Sequence, residues 1–573
     1  MLQVLSGAGA LPGFPLPGGE NLPRPRRRDG RTGEPPARPR VAGARPGNPS
    51  GMASPAAGAA GPPALPGVFA SHWMATSPAT SYPPLTSGAG AEVDVAVIGG
   101  GVAGLSAAWE LSRAGCSVAV LEAGRIAAGV TGFTTAKLTA LHTLVYAGLR
   151  RTRGPEGARL YARSQQEAVE RVVEVAGLLG VDCELERRPA FTYVTDPAGV
   201  AAVREEANAA EQAGLPASYV RETGLPFPVA GAVRVEDQAQ FHPRRYLLAL
   251  AEDLVARGGA VYELTRVTGL DEGTPCRLTT ENGAELVARD VVVATHYPVF
   301  DRALLFTRLS PRRELVVAGP LAADRDPGGM YITQENDTRS VRTAPGPDGR
   351  RLLIVTGEHF TPGTADVTER FGRLADWAGA HFPGLEITHR WATQDNDSTD
   401  TVPLVGPFHA GSRHTYVATG FGGWGMSGGV MAGRLLADLI TGLRPAWADL
   451  YDPRRVGSAL REAPAFLRHQ ATVAQHFVGD RLRVPHVESP EEVAPGTGAV
   501  VRMGGRACAV HRAADGTVRR LSARCTHLGC LVAFNDAEQA WECPCHGSRF
   551  AVDGSVLQGP AVRPLEAWDA GEG

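Results

Sequence analysis

The sequence predicts an α/β domain of the dinucleotide-binding type, interleaved with an antiparallel sheet and followed by a small all-β domain. Three observations carry this expectation. The stretch VDVAVIGGGVAGLSAAWELSRAGCSVAVLEA, starting at Val93, reads strand, tight turn, helix, strand. From Arg308 to about Arg390, alternating apolar runs separated by turn residues suit an antiparallel sheet. Near the C-terminus, short strand-like runs bracket two loops rich in cysteine and histidine, CTHLGC and CPCHGS.

With 573 residues the chain has room for about three or four domains. Apolar content is 43% and charged content 20%, ordinary for a globular protein. A net charge of −3 gives no basis for binding nucleic acid or an anionic membrane surface. No apolar run reads as a membrane span; the uncharged run Thr415–Gly433 is glycine-rich and reads as a loop and buried helix. Cys116, Cys183, Cys276 and Cys508 are scattered and read as buried small apolar residues. The chain is expected to be cytoplasmic.

Residues 1–68 are Pro, Gly, Ala and Arg without periodicity, and are expected to form a disordered extension. Arg26, Arg27 and Arg28 lack the apolar run that a twin-arginine export signal needs. The alternatives are a basic interaction arm or an upstream start, with Met52 and Met74 as further candidate starts. Order is expected from about Val93.

The dinucleotide-binding domain is expected over 93–455. Gly99, Gly101 and Gly104 give G-x-G-x-x-G between a β-branched run and an apolar helical stripe. Gly99 makes the turn, Gly101 lets backbone approach a pyrophosphate, and Gly104 permits close helix–strand packing. The helix N-terminus, with Val102 and Ala103, faces the phosphates. Glu122 ends the second strand 18 residues after Gly104, with Ala123 beside it. Its carboxylate suits a ribose 2′-hydroxyl and disfavours a 2′-phosphate. Only one such unit is present, where an enzyme binding two dinucleotides would usually carry two.

A second segment of this domain, FHPRRYLLALAEDLVARGGAVYELTRVTGL, reads helix, Gly258-Gly259, strand. ELVARDVVVATHYP is a buried strand ending at Ala294-Thr295, where Thr295 is a cofactor contact or only a strand cap. The interleaved sheet is expected mainly from 181–235 and 308–390. Arg339 and Arg342 lie in it as anion anchors or, more plainly, as a solvated strand face. HTYVATGFGGWGMSGGVMAGRLLADLITG then reads strand, Gly-rich loop, helix. A helix starting near Gly425 and Met426 aims free N–H groups and its positive dipole end outward. Trp424 either borders a cofactor or packs. Residues 456–485 read as a linker, and 486–573 as the all-β domain.

In that last domain Cys525 and His527 are one residue apart, Cys543 and His546 two apart, and fifteen residues separate the pairs. Two thiolates and two imidazoles suit a Rieske [2Fe–2S] centre, where two histidines replace two cysteines on one iron. Zinc is the rival, but its sites usually space cysteines two to four apart and histidines three to five apart.

These residues resemble known families. C-T-H-L-G-C and C-P-C-H-G-S resemble the two cluster loops of Rieske proteins. That resemblance implies a disulfide between Cys530 and Cys545, and a Ser548 hydroxyl bonded to a cluster sulfide. Rieske proteins often carry Tyr where this chain has Phe550, so one hydrogen bond to a ligand sulfur is expected to be missing. The potential is then expected below the top of the range of roughly −150 to +300 mV. Gly559-Pro560 resembles the loop that covers a Rieske cluster.

GVTGFTTAKLTALH, with Lys137, resembles the loop after the second strand in FAD-dependent oxidoreductases of the D-amino-acid-oxidase and glycine-oxidase type. T-G-x-x-x-W-G-M resembles flavoenzymes of that type that carry a C-terminal Rieske domain. The resemblance implies an FAD-binding Rossmann-type fold, an adenine contact at Val267, and a helix N-terminus at the flavin N1/C2=O edge. It implies no role for His359, which is out of register with the G-G-E-x-H pattern.

The expectation is a flavin oxidoreductase that oxidises a small amine or amino acid and passes electrons from FAD to the [2Fe–2S] cluster. The alternative is an electron-transfer protein fed by a redox partner at the cluster. In either case an electron acceptor or donor is required. A Rieske oxygenase is disfavoured because only Gly547 to Gly573 follow the cluster loops, too few for a mononuclear iron domain. No catalytic acid or base stands out in the sequence.

Overall fold

In the computed structural model, residues 65–87, 92–302, 305–335, 337–364, 366–455 and 489–568 are described. Strand β1 (Glu92–Ile98), helix α1 (Val102–Arg113) and strand β2 (Val118–Leu121) form the expected unit. From Val95 on, β1 is apolar without alternation because both its faces are buried there. Val95 and Val97 pack into the helix-side core, and Ala96 and Ile98 into the cluster on the other face. β1 runs parallel to β2, with Ile98 opposite Leu121, and parallel to strand β3 (Glu285–Val293), with Val293 opposite Ile98.

A nine-stranded sheet is built from 190–235, before β3, and 309–398, after it, with Val68–Phe69 at its edge. Strand β4 (Leu309–Leu321) lies between antiparallel strands β5 (Arg351–Phe360) and β6 (His389–Ser398). The sheet is antiparallel in the main. Met330–Thr333 runs parallel to Ala190–Val194, and Val68–Phe69 parallel to β6.

β4 alternates with period two, so its successive residues face opposite layers. Val316 and Ala318 pack with Trp73 and Ala136 on one side. Leu315 and Val317 pack with Phe371 and Leu374, from the helix Val367–His381, on the other. Arg312 and Glu314 therefore point with the first set, and Arg313 with the second.

The chain returns through strand β7 (Thr415–Thr419), parallel to β3, into helix α2 (Gly425–Ile440). α2 lies against α1 at a distance only glycine permits. A Cβ on Gly433 would stand 2.5 Å from Ser106 Cβ, and one on Gly429 would stand 2.7 Å from Val102 Cγ1.

The C-terminal domain holds a three-stranded and a four-stranded antiparallel sheet, Thr497–Ser522 and Ala533–Gln558. It docks on the other two layers through Arg313. This side chain is 1% exposed and is bound by both Glu538 and Glu542, with Nη2 3.0 Å from Glu538 Oε2. Arg549 also bonds both acids, at 2.6 and 3.1 Å. Gly363 N–H donates to Glu542 Oε2 at 3.0 Å, and Gln394 Nε2 to Gly547 O at 3.0 Å.

The extension was expected to run to residue 68, with order only from about Val93. Residues 65–87 are instead packed on the dinucleotide domain. Trp73 and Leu85 are fully buried, Trp73 Nε1 donates to Thr134 O at 2.6 Å and Ser71 Oγ to Gly132 O at 2.5 Å. The physical reason is that one Trp buries enough apolar surface to order a segment otherwise poor in large residues. Residues 1–64, including the basic triplet, and the expected linker 456–485 lie outside the described residues. Among the described residues no helix is long and apolar enough to cross a membrane.

Removing Arg313 leaves two buried carboxylates to share the single guanidinium of Arg549. Arg313→Met should cost about 3–5 kcal/mol, read by chemical denaturation through tryptophan fluorescence. A loss under about 1 kcal/mol, the worth of an exposed pair, would contradict the docking described above.

Candidate functional site

The carboxyl ends of β1, β2, β3 and β7 come level with one another, and this edge gathers most of the residues expected to hold a dinucleotide. Gly99 has φ 106°, and a Cβ there would stand 2.5 Å from Ala294 O. A Cβ on Gly104 would fall 1.9 Å from Gly99 O, so helix and turn touch there. Gly101 is different. Its Cβ would meet only Thr131 Oγ1 at 3.3 Å, so protein packing does not demand a glycine, and the open side fits a ligand's close approach. Val102 and Ala103 open α1 directly above it.

Glu122 accepts N–H bonds from Gly100 and Gly124, both at 2.8 Å. Burial pushes its carboxyl up against these two donors, yet it keeps accessible surface, as does Ala123, so the pair lines a cleft. Val267 is buried at the start of the strand Val267–Asp271, two residues after Thr265, whose N–H binds Glu122 O. Thr295 lies two residues past the end of β3, with its hydroxyl on Tyr297 O at 2.8 Å. Gly425 and Met426 begin α2, whose first turn has no side-chain cap. Trp424 stacks on His142, ring centroids 4.6 Å apart. Burial holds His142 at about 3, so a neutral ring spans Tyr161 Oη at 2.7 Å and Ser427 Oγ at 3.1 Å.

His296 escaped the sequence reading. It has φ 65°, an uncommon conformation for a side chain of this size. Its Nε2 is buried without a hydrogen-bond partner, and burial lowers its pKa to about 4. A buried, unpartnered nitrogen beside a glycine cradle fits a bound dinucleotide.

The wall opposite this edge is the face of β4 and β6 that carries Arg312, Glu314, Asp395 and Asp397. Glu314 Oε1 lies 2.9 Å from His359 Nε2 and 3.4 Å from Arg312 Nη1. Burial would raise the Glu314 carboxyl, but His359, Arg312 and Lys137 outweigh it and hold it at about 2. Arg312 donates to Gly422 O at 2.9 Å, and Asp395 accepts from Gly423 N–H at 2.6 Å, tying the sheet to the loop before α2. Burial, against Arg312, raises Asp395 to about 6. Lys137 donates to Ser340 Oγ and to Thr135 Oγ1, the latter at 3.3 Å. Burial lowers it to about 8, against Glu314. These charged groups keep accessible surface, as the lining of a chamber would.

The sequence did not single out Glu314, Arg312 or Asp395, because their alternation reads as an ordinary strand face until β4 and β6 pair Arg312 with Asp395. Arg339 and Arg342 are neither solvated nor free. Arg339 is 5% exposed on Glu358 at 2.8 Å. Arg342 is 1% exposed and donates to the carbonyls of Thr135 and Ala136, bracing the segment that carries Lys137.

In the C-terminal domain the two expected cysteine ligands approach each other, and so do the two expected histidine ligands. In each loop the first cysteine's carbonyl accepts an N–H from a left-handed glycine four residues on, Gly529 to Cys525 at 2.9 Å and Gly547 to Cys543 at 3.0 Å. Cys525 N–H reaches Cys530 O at 2.9 Å, and Cys543 N–H reaches Ser548 O at 2.8 Å. The two thiols lie within hydrogen-bonding reach of each other. The His527 and His546 rings are 5.0 Å apart, and His527 Nδ1 is buried without a hydrogen-bond partner. This donor set, two close thiols and two neighbouring imidazoles, fits a Rieske centre. Cys530 and Cys545 are joined in a disulfide, and their sulfurs lie within 4.8 Å of Cys543 Sγ. Ser548 is fully buried, and its hydroxyl accepts Ala561 N–H at 3.0 Å, which fixes the loop after Gly559-Pro560. Phe550, fully buried, pairs across strands with Trp541.

Comparison with known proteins agrees with both domains. Residues 94–439 match the family profile "FAD dependent oxidoreductase", and 484–569 match "Rieske [2Fe-2S] domain". The chain is 31% identical over 502 residues to YhfW of Bacillus subtilis, named a Rieske 2Fe-2S iron-sulfur protein, covering 87% of this chain and 97% of that one. It is 26% identical to the gamma-glutamylputrescine oxidoreductase of Escherichia coli, covering 61% of this chain and 84% of that one. Among solved structures, glycine oxidase from Geobacillus kaustophilus shares the fold, with a TM-score of 0.54 at 21% identity, over 64% of this chain and 99% of that one.

A hydroxyl placed at residue 550 would restore the bond to a ligand sulfur. Phe550→Tyr should raise the cluster's midpoint potential in a spectroscopic redox titration. An unchanged or lower potential would remove Phe550 as the cause of a modest value.

Proposed function

The chain belongs to the FAD-dependent oxidoreductase family and carries a Rieske [2Fe–2S] domain, and from that premise we propose that it oxidises a small amine or amino acid at a C–N bond. The observation that carries the proposal is the charged chamber between β4, β6 and Lys137, set against the loop that opens α2. FAD supplies a two-electron acceptor there, and the cluster a one-electron outlet.

The residues around the chamber have separable tasks. The ionised Glu314 suits a cationic nitrogen, and His359 and Arg312 hold its carboxylate in place. Lys137 is the proposed proton acceptor. An ammonium must lose its proton before the neighbouring C–H bond can be oxidised, and a lysine at about 8 is neutral above that pH. The α2 N-terminus aims N–H groups and its positive dipole end at the place where negative charge would collect. Gly99, Gly101, Val102, Ala103, Gly104, Glu122, Ala123, Val267, Thr295, Gly425 and Met426 are proposed to hold FAD. Cys525, His527, Cys543 and His546 are proposed to hold the cluster.

The test is an anaerobic absorbance screen of the purified protein against amines and amino acids. Flavin bleaching by an amine, followed by cluster bleaching, supports the proposal. Bleaching only with a reduced redox protein would replace it with an electron-transfer role. With a substrate in hand, flavin reduction should accelerate as pH rises through about 8. Lys137→Met should move that midpoint up toward the amine's own, about 10. An unmoved midpoint would remove Lys137 from proton transfer.

A further inference from the structure

The cluster loops present their two histidines unequally. His546 is 2% exposed, whereas His527 is partly exposed. What covers His546 belongs to the dinucleotide domain. The Tyr297 ring centroid lies 5.8 Å from His546 and 6.4 Å from His527, and Phe306 lies 5.9 Å from His546. Tyr297 is 2% exposed, and its hydroxyl donates to Phe306 O at 3.3 Å, so the ring is held in one position.

Tyr297 is also two residues from the dinucleotide edge. Thr295 N lies 3.3 Å from where a Gly99 Cβ would stand. Thr295 Oγ1 bonds Tyr297 O at 2.8 Å, so the pair is joined by a hydrogen bond as well as by the backbone. Between them His296 turns the chain at φ 65°, and its carbonyl accepts the Thr419 hydroxyl at 2.6 Å, just before the loop that opens α2. Both ends of this short segment are thus fixed, one at each proposed cofactor site.

We infer that Tyr297 bridges the flavin site to the inward-facing cluster histidine, so that electrons enter the cluster at His546. The two electrons collected at the flavin then leave one at a time. Each would in turn reduce the same cluster iron from ferric to ferrous, the second only after the first has left the cluster, and the flavin's protons would pass to water. A one-electron acceptor, such as ferricyanide or a small redox protein, reoxidises the iron from the partly exposed His527 side. The inference rests on both cofactors exchanging electrons within one chain, and needs no particular amine.

The test therefore uses no amine. In the holoprotein, flash photoreduction with deazaflavin loads electrons on the flavin, and flavin and cluster absorbance are followed separately. Tyr297→Leu should slow equilibration about tenfold, equivalent to about 1.4 kcal/mol in the barrier, with flavin content and cluster EPR signature unchanged. Tyr297→Phe keeps the ring and should keep the rate. If the Leu variant loses its cluster, Tyr297→Met, closer to tyrosine in length, gives the same reading. Leu or Met variants that equilibrate within about twofold of wild type, both cofactors intact, would overturn the bridge, as would a Phe variant as slow as they are. An amine screen that fails beside a normal flash result would leave the bridge standing and remove only the amine.

Discussion

A guanidinium held between two buried carboxylates fixes where the Rieske domain stands. Arg313 lies on β4, one residue from Arg312 and Glu314, and faces away from them into Glu538 and Glu542. The pleat of a strand enforces this opposition. One strand therefore forms a wall of the proposed substrate chamber with one face and docks the one-electron centre with the other. β6 repeats the arrangement, with Asp395 bonded to Gly423 in the flavin loop and Gln394 bonded to Gly547 in the cluster loop. A contact made through buried charges is intolerant of small shifts, since separating the partners leaves charge uncompensated. It suits a fixed electron outlet better than a swinging one.

The flavin side is shaped by close backbone approach. Gly104 against Gly99, and Gly429 and Gly433 against α1, bring the two helices of the dinucleotide domain together. Their N-termini then lie at one edge, with Gly101 opening toward the cleft and the α2 end toward the chamber. The positive dipole ends of two helices thus converge where phosphate and reduced flavin would carry negative charge.

Local signals were legible in the sequence. The G-x-G-x-x-G unit with Glu122, the glycine-rich turn into α2, and the two Cys/His loops each encode their structure within a few residues. Groups brought together by pairing strands were not legible. Glu314 and His359 are 45 positions apart and meet only because β4 and β5 pair, at the register shift between Arg313 and Leu315. His296 drew no reading from the sequence, because its informative feature is a backbone conformation. Arg339 and Arg342 looked like solvated strand residues because sequence does not show what covers a sheet face. Trp73 sits in a segment whose composition suggested no order, and one large side chain was enough to dock it.

The central claim is that flavin and cluster are held at one fixed, short separation within a single chain. Pulsed EPR of the half-reduced holoprotein measures this through the dipolar coupling between the flavin radical and the reduced cluster. A single strong coupling with a narrow distribution is the expected result. A weak coupling, or a broad distribution of separations, would contradict the fixed docking through Arg313.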